Sequence, residues 1–294
     1  MLRTKSDRIV MGIVYALVGL FAAVCLYPLL LTLMTSITDE QTLIRDGYKM
    51  FPKKYSLAAY QVIVDTMGSK VLGAYKITIF VTVVGTALSL LVTSMVAYVV
   101  SVKDFPQRNI INMLLYIPMV FSAGLLPWYI VCTKYYKLVN TLWALILPPC
   151  LNVFNVFLMR NYFATLPGAV FESARIDGAG HFRIFWQIAA PMAQVGIITV
   201  GMLYALGYWN DYYNALMFIR KSEMYPMQYY LYNILSNIQF AARQSQTRLS
   251  YNIAIPSETI KMAIIIVTIL PILFLYPFIQ RYIVKGVVVG AVKG

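Results

Sequence analysis

Six stretches of the chain carry no charged side chain for long enough to cross a bilayer, which takes about 20 helical residues. They are residues 9–34, 77–102, 109–133, 138–159, 184–210 and 262–280. A charged island at residues 171–192 interrupts the approach to the fifth run. Setting it aside predicts spans over about 9–34, 77–102, 109–133, 138–160, 191–217 and 262–280, with segment 161–190 outside the lipid. The segments 35–76 and 218–261 are long loops. In the second, Leu231, Ile234, Leu235 and Ile238 recur at helical spacing opposite Asn233, Ser236, Asn237 and Gln239. That pattern predicts an amphipathic helix too polar to be a seventh span.

Composition agrees with a membrane class. Of 294 residues 60% are hydrophobic and 12% charged, against roughly a quarter charged in soluble domains, and the mean hydropathy is +0.71. No polar linker divides the chain, so residues 9–294 read as one membrane domain behind a short N-terminus, 1–8. The first run exceeds the 7 to 15 residues of a signal-peptide core and no small-residue cleavage site follows it, so it reads as a membrane helix.

The net charge of +13 does not indicate nucleic acid, because the basic residues are dispersed among the short segments and form no patch with interleaved aromatics. Lys and Arg divide nearly evenly between the two sides, so the basic N-terminus (Arg3, Lys5, Arg8) and tail (Arg281, Lys285, Lys293) set the expected orientation, with both ends cytoplasmic. Pro118, Pro127, Pro148, Pro149, Pro271 and Pro277 lie in the apolar runs and predict bent helices. The three cysteines, Cys25, Cys132 and Cys150, show no metal or disulfide spacing. There is one histidine, His181, and no GxxxxGK[ST] phosphate loop. Neither catalysis nor ATP binding is expected.

The island reads FESARIDGAGHFRIFWQIAAPM. Glu172, Ser173 and Ala174 are followed after three residues by Gly178, after nine more by Ile188, and then by Ala190 and Pro191. Small side chains let a partner approach the backbone, Glu172 offers it a carboxylate, and Gly178 can end a helix at positive φ. His181 to Ala190 then forms a second helical segment leading into the next span at Pro191. This order resembles the EAA signature of ABC importer permeases, with Ser173 for Ala and Ala190 for Leu.

The resemblance extends to 136–148, 154–161, 207–211 and 281–294, closest to the maltose-type carbohydrate-uptake permeases and their Gram-positive relatives. It implies an all-α polytopic protein with the six-span type I permease fold in a bacterial plasma membrane. Its coupling helix would lie between spans 4 and 5. It further implies that Glu172, Ser173, Ala174, Asp177, Gly178, Ile188 and Pro191 couple to an ATPase. The implied partners are a sister permease, two ATPase subunits holding ATP and Mg, and an external sugar-binding protein. An ion-driven secondary transporter, or a permease for another solute, is the alternative. For the cargo, Tyr208, Trp209, Asn210, Asp211 and Tyr212 offer aromatic faces beside polar groups. An intramembrane Asp faces water or a partner, while an aromatic belt at the interface reads equally well.

Overall fold

A computed structural model describes residues 5–247 and 258–291. Among them the chain is helical, with one isolated bridge, Thr38 to Tyr55. The helices are α1 (Lys5–Ser36), α2 (Glu40–Asp46), α3 (Ala58–Val62), α4 (Gly68–Ser101), α5 (Arg108–Val120), α6 (Leu125–Ile130), α7 (Trp143–Ile146) and α8 (Val153–Ala164). They continue as α9 (Gly168–Ile176), α10 (His181–Ile184), α11 (Ala190–Met192), α12 (Gln194–Trp209), α13 (Tyr213–Phe218), α14 (Met227–Thr247) and α15 (Glu258–Ala291). A wide turn at Ile63–Met67 joins α3 to α4, another at Val131–Tyr135 follows α6, and a third at Phe185–Ala189 joins α10 to α11.

The apolar runs become helices of unequal form. Residues 9–36 and 58–101 are continuous and apolar enough to cross a membrane, and α15 contains the run 262–280. Three other runs are broken outright, two of them where prolines predicted bends. Arg108–Val120 and Leu125–Tyr135 meet at 113°, with Pro118 and Gly124 (φ 84°) at the break. The run 138–160 is interrupted at Pro148 and Pro149, whose rings cannot donate the helical hydrogen bond, leaving α7 and α8 on either side. His181–Met192 meets Gln194–Trp209 at 83°, two residues past Pro191 and just after the wide turn at Phe185–Ala189, the kind of local defect that bends helices sharply. By contrast α15 runs unbroken through Pro271 and Pro277.

The chain forms two compact units, Met1–Ser69 with Asn233–Pro271, and Lys70–Tyr232 with Ile272–Gly294. In the first, Asp39 caps α2 by accepting from the Thr42 amide at 3.3 Å. Two ion clusters follow: Lys54 on Asp39, and Arg45, Lys49 and Lys53 around Asp46. These cations hold both carboxyls below their usual range. For Asp39 the Lys54 hydrogen bond dominates; for Asp46 partial desolvation opposes the pull of Lys49, Lys53 and Arg45 without reversing it. Glu40 reaches the start of α15, accepting from the amides of Glu258 (3.0 Å) and Thr259 (3.1 Å) and from the Thr259 hydroxyl (2.6 Å). A carboxylate there satisfies free amides and complements the helix dipole.

The second unit holds the larger core, where Tyr98, Phe163 and Phe185 pack as an aromatic cluster with centroids 5.4 to 6.3 Å apart. Its polar interior explains how the proline break is tolerated. Backbone groups freed in a membrane must find partners inside the protein, and α12 supplies them. The Tyr208 hydroxyl donates to Ile146 O at 2.8 Å, and the Tyr204 hydroxyl accepts from the Asn152 amide at 3.0 Å. From α4, Ser89 and Thr93 bond the same two hydroxyls at 2.8 and 2.7 Å. Two pairs at i, i+4 thus brace α4 and α12 against the broken segment. Gly85 permits the approach, since a Cβ there would lie 2.6 Å from the Tyr208 ring. The predicted amphipathic helix is found as α14, and Thr78 of α4 accepts from its Met227 amide at 2.8 Å.

Candidate functional site

The charged island folds as two helical segments around a tight turn. Helix α9 ends when Gly178 takes φ +80°. The Ala179 amide then bonds Ala174 O at 2.9 Å and the Gly178 amide bonds Arg175 O at 3.0 Å. This nested pair of bonds is the Schellman stop that glycine favours. The next segment runs from His181 through the wide turn to Met192, and the bend into α12 follows at Ala193.

One face of this helix pair is anchored. Ile184, Phe185 and Ala189 are buried, and Phe185 packs on Tyr98 and Phe163. Ala174 and Ile188 are half-buried, and the Ser173 hydroxyl bonds back to Ala169 O at 3.0 Å. Glu172, Asp177 and Pro191 are exposed. Arg175 bridges to Asp104 at 3.0 Å, tying α9 to the turn after α4.

The exposed side carries large apolar side chains that the reading of the motif missed. Ile176 is 85% exposed, Phe182 69% and Trp186 46%, and Phe182 meets Trp186 edge to face at 6.2 Å. Large exposed apolar side chains in a stretch that also carries the exposed Glu172, Asp177 and Arg183 suit a protein contact. The i, i+4 spacing of Phe182 and Trp186 within a charged stretch was the available signal.

The five aromatic and polar residues near the end of α12 separate. Tyr208 is buried and its hydroxyl is committed to Ile146 and Ser89. Trp209 lines an apolar cavity of about 370 Å³ with Leu90, Gly201 and Ala205. Beyond them, Asn210, Asp211 and Tyr212 stay together. Asp211 accepts from the Asn214 amide at 3.1 Å and its side-chain nitrogen at 2.6 Å, fixing the turn into α13. Asn210 accepts from Gln228 at 3.3 Å, and Tyr212 stacks on Tyr232 at 5.1 Å. Gln228 and Tyr232 come from α14, and no local sequence pattern links them to α12. Among the described residues no three His, Cys, Asp or Glu side chains gather as metal ligands would.

Comparison with known proteins matches this architecture. The family described as "Binding-protein-dependent transport system inner membrane component" covers residues 85–289. Protein LplC of Bacillus subtilis is 36% identical over 291 residues, covering 99% of this chain and 97% of its own length. The polygalacturonan/rhamnogalacturonan transport system permease protein YtcP of the same organism is 33% identical, covering 98% and 100%. A chain from the crystal structure of a bacterial ABC transporter involved in the import of the acidic polysaccharide alginate superposes with a TM-score of 0.81. It is 29% identical and covers 96% of this chain and 99% of its own. The helix breaks, the Gly178 turn and these matches over nearly the whole length lead to one conclusion: the chain belongs to the inner-membrane components of binding-protein-dependent transport systems.

Proposed function

We propose that this protein is the translocating membrane subunit of an ATP-driven importer of oligosaccharides in a bacterial plasma membrane. Saccharide cargo is common to the names of YtcP and of the structural relative. Six crossings with both ends inside is the topology that fits best. Glu40 follows the first span and Glu258 precedes the last, and their contact supports ends of both spans that share one side. Segment 134–140 meets residues 218–221, and segment 103–108 meets Arg175, as alternating sides require.

The observation that carries the mechanism is the Gly178 stop with the exposed Ile176, Phe182 and Trp186 on either side of it. A helix pair locked by a Schellman turn moves as one piece. Its apolar outer face docks on a separate ATPase subunit that holds ATP and Mg, with Glu172 placed for a basic side chain of that partner. Its anchored inner face passes the motion through Phe185 to Tyr98 and Phe163, and through the bend at Ala193 to α12. Ser173, Ala174, Asp177, Ile188 and Pro191 shape the lever. A sister permease and an external binding protein complete the importer. On the cargo side, Asn210, Asp211 and Tyr212 with Gln228 and Tyr232 line the outer pathway, while Tyr208 and Trp209 support it from behind.

The test is reconstitution of the whole importer in vesicles with ATP on the ATPase side. Glu172→Arg is expected to cut oligosaccharide uptake and binding-protein-stimulated ATP hydrolysis at least tenfold while the assembly still purifies intact. Uptake driven by an ion gradient without ATP, or full coupling in the variant, refutes the reading.

A further inference from the structure

One set of charges in the second unit is managed differently from those of the first. Around Asp39 and Asp46 the cations are paired. In the segments 131–140 and 218–224 stand four exposed cations, Lys134, Lys137, Arg220 and Lys221, facing a single acid, Glu223. None of the four has an ion-pair partner among the described residues.

Their backbone is held in place. The Tyr136 amide bonds Val131 O and the Leu138 amide bonds Cys132 O, both at 3.1 Å, and Lys137 sits at φ 52°. Asn140, at φ 56°, then clamps the second segment. Its amide donates to Phe218 O at 2.9 Å, and its side-chain oxygen accepts from the Arg220 amide at 2.7 Å and the Lys221 amide at 3.3 Å. One side chain thus joins the segments that carry both pairs of cations, a cluster with aromatics that the sequence, where the pairs lie about eighty residues apart, did not lead us to expect. The aromatic faces in the first segment are open: Tyr135 is 76% and Tyr136 68% exposed, and Tyr213 stacks on Trp128 at 6.4 Å.

Unpaired cations on a braced backbone, in the same segments as open aromatic rings, suit a ligand that has both carboxylates and pyranose CH faces. Charge of one sign at a mouth also concentrates oppositely charged solutes there. We propose that this cluster is the entry site for anionic, uronate-containing oligosaccharides, an assignment that rests on the oligosaccharide-import reading above. The cations draw the carboxylates in, and Tyr135 and Tyr136 receive the sugar rings.

The experiment uses the complete importer in phosphatidylcholine vesicles. The probes are trimers of galacturonate, glucuronate and mannuronate, each beside its neutral methyl ester. For wild type, uptake of at least one acid is expected to exceed that of its ester and to fall with added salt. Replacing Lys134, Lys137, Arg220 and Lys221 with Gln is expected to lower the acid-to-ester ratio at least tenfold, about 1.4 kcal/mol. A variant exchanging Lys for Arg and Arg for Lys at these positions keeps the ratio. Equal loss for acid and ester assigns the cluster to binding-protein docking, and an effect seen only in vesicles with anionic lipid assigns it to headgroups; either overturns the inference alone. Uptake of the esters with no preference for the acids does the same. Failure of wild type to take up any of the six overturns the inference too, and the import reading falls with it only if neutral oligosaccharides are not taken up either.

Discussion

Replacing Tyr208 with Phe removes one oxygen and keeps the ring that fills the space against Gly85. That oxygen makes two buried contacts, with Ile146 O and with the Ser89 hydroxyl, both at 2.8 Å. Hydrogen bonds between membrane helices average about 0.6 kcal/mol each, so losing two sets a floor near 1 kcal/mol. The Ile146 carbonyl is then left beside a proline break without its donor, and an unsatisfied buried group costs about 1–3 kcal/mol. Tyr208→Phe is therefore expected to destabilise the protein by about 1–3 kcal/mol in reversible unfolding in mixed micelles. Uptake per folded importer should keep its KM. If Tyr208 instead touched the cargo, the same change would raise KM and leave stability alone. That result would refute the bracing role. Gly85→Ala gives an independent check, because its methyl would sit 2.6 Å from the ring. It should also destabilise, by about 1–3 kcal/mol as overpacked cores do.

Other expectations follow from the lever and the first unit. Gly178→Ala forces a Cβ into the left-handed region at a cost of about 1 kcal/mol; it should lower coupled ATP hydrolysis more than basal hydrolysis, measured on the purified importer. Asp104→Asn removes an exposed ion pair with Arg175, and a double-mutant cycle with Arg175→Gln should give a coupling under about 1 kcal/mol. Glu40→Gln weakens the cap on α15 and should cost about 0.5–2 kcal/mol by the same unfolding measurement. The carboxyls of Asp39 and Asp46 lie below their unfolded values, so the stability they add is present at neutral pH. It should disappear as pH falls below about 4 and through the folded values. Asp39→Asn with Asp46→Asn should flatten that acid limb.

Much of the helix-turn-helix around Gly178 could be read directly from residue order, because a Schellman stop is local: a glycine after a short run of helix formers is enough. The membrane class was legible for the same reason, since lipid rejects charge one segment at a time. The helix breaks were less so. Six prolines looked equivalent in sequence, yet Pro148 and Pro149 interrupt a helix while Pro271 and Pro277 do not. The difference at 148–149 is made by Tyr204 and Tyr208, more than fifty residues downstream, which satisfy the backbone that the break exposes. Tyr208 looked like part of a sugar grip because an aromatic ring with a hydroxyl suits a ligand and a buried clamp equally well. The i, i+4 match of Ser89 and Thr93 to Tyr204 and Tyr208 was visible, but only the packing of α4 on α12 gives it meaning.

The Glu40 clasp also has a consequence for biogenesis. The carboxylate leaves the ribosome 218 residues before the Glu258 amide it receives. Throughout synthesis the segment after α1 waits with its acceptor empty, and the clasp closes only when α15 has been made with its start on the same side as that segment. A chain that stalls before Glu258 or threads α15 backwards leaves Glu40 unanswered, so the arrival of α15 is written into the stability of the loop after α1.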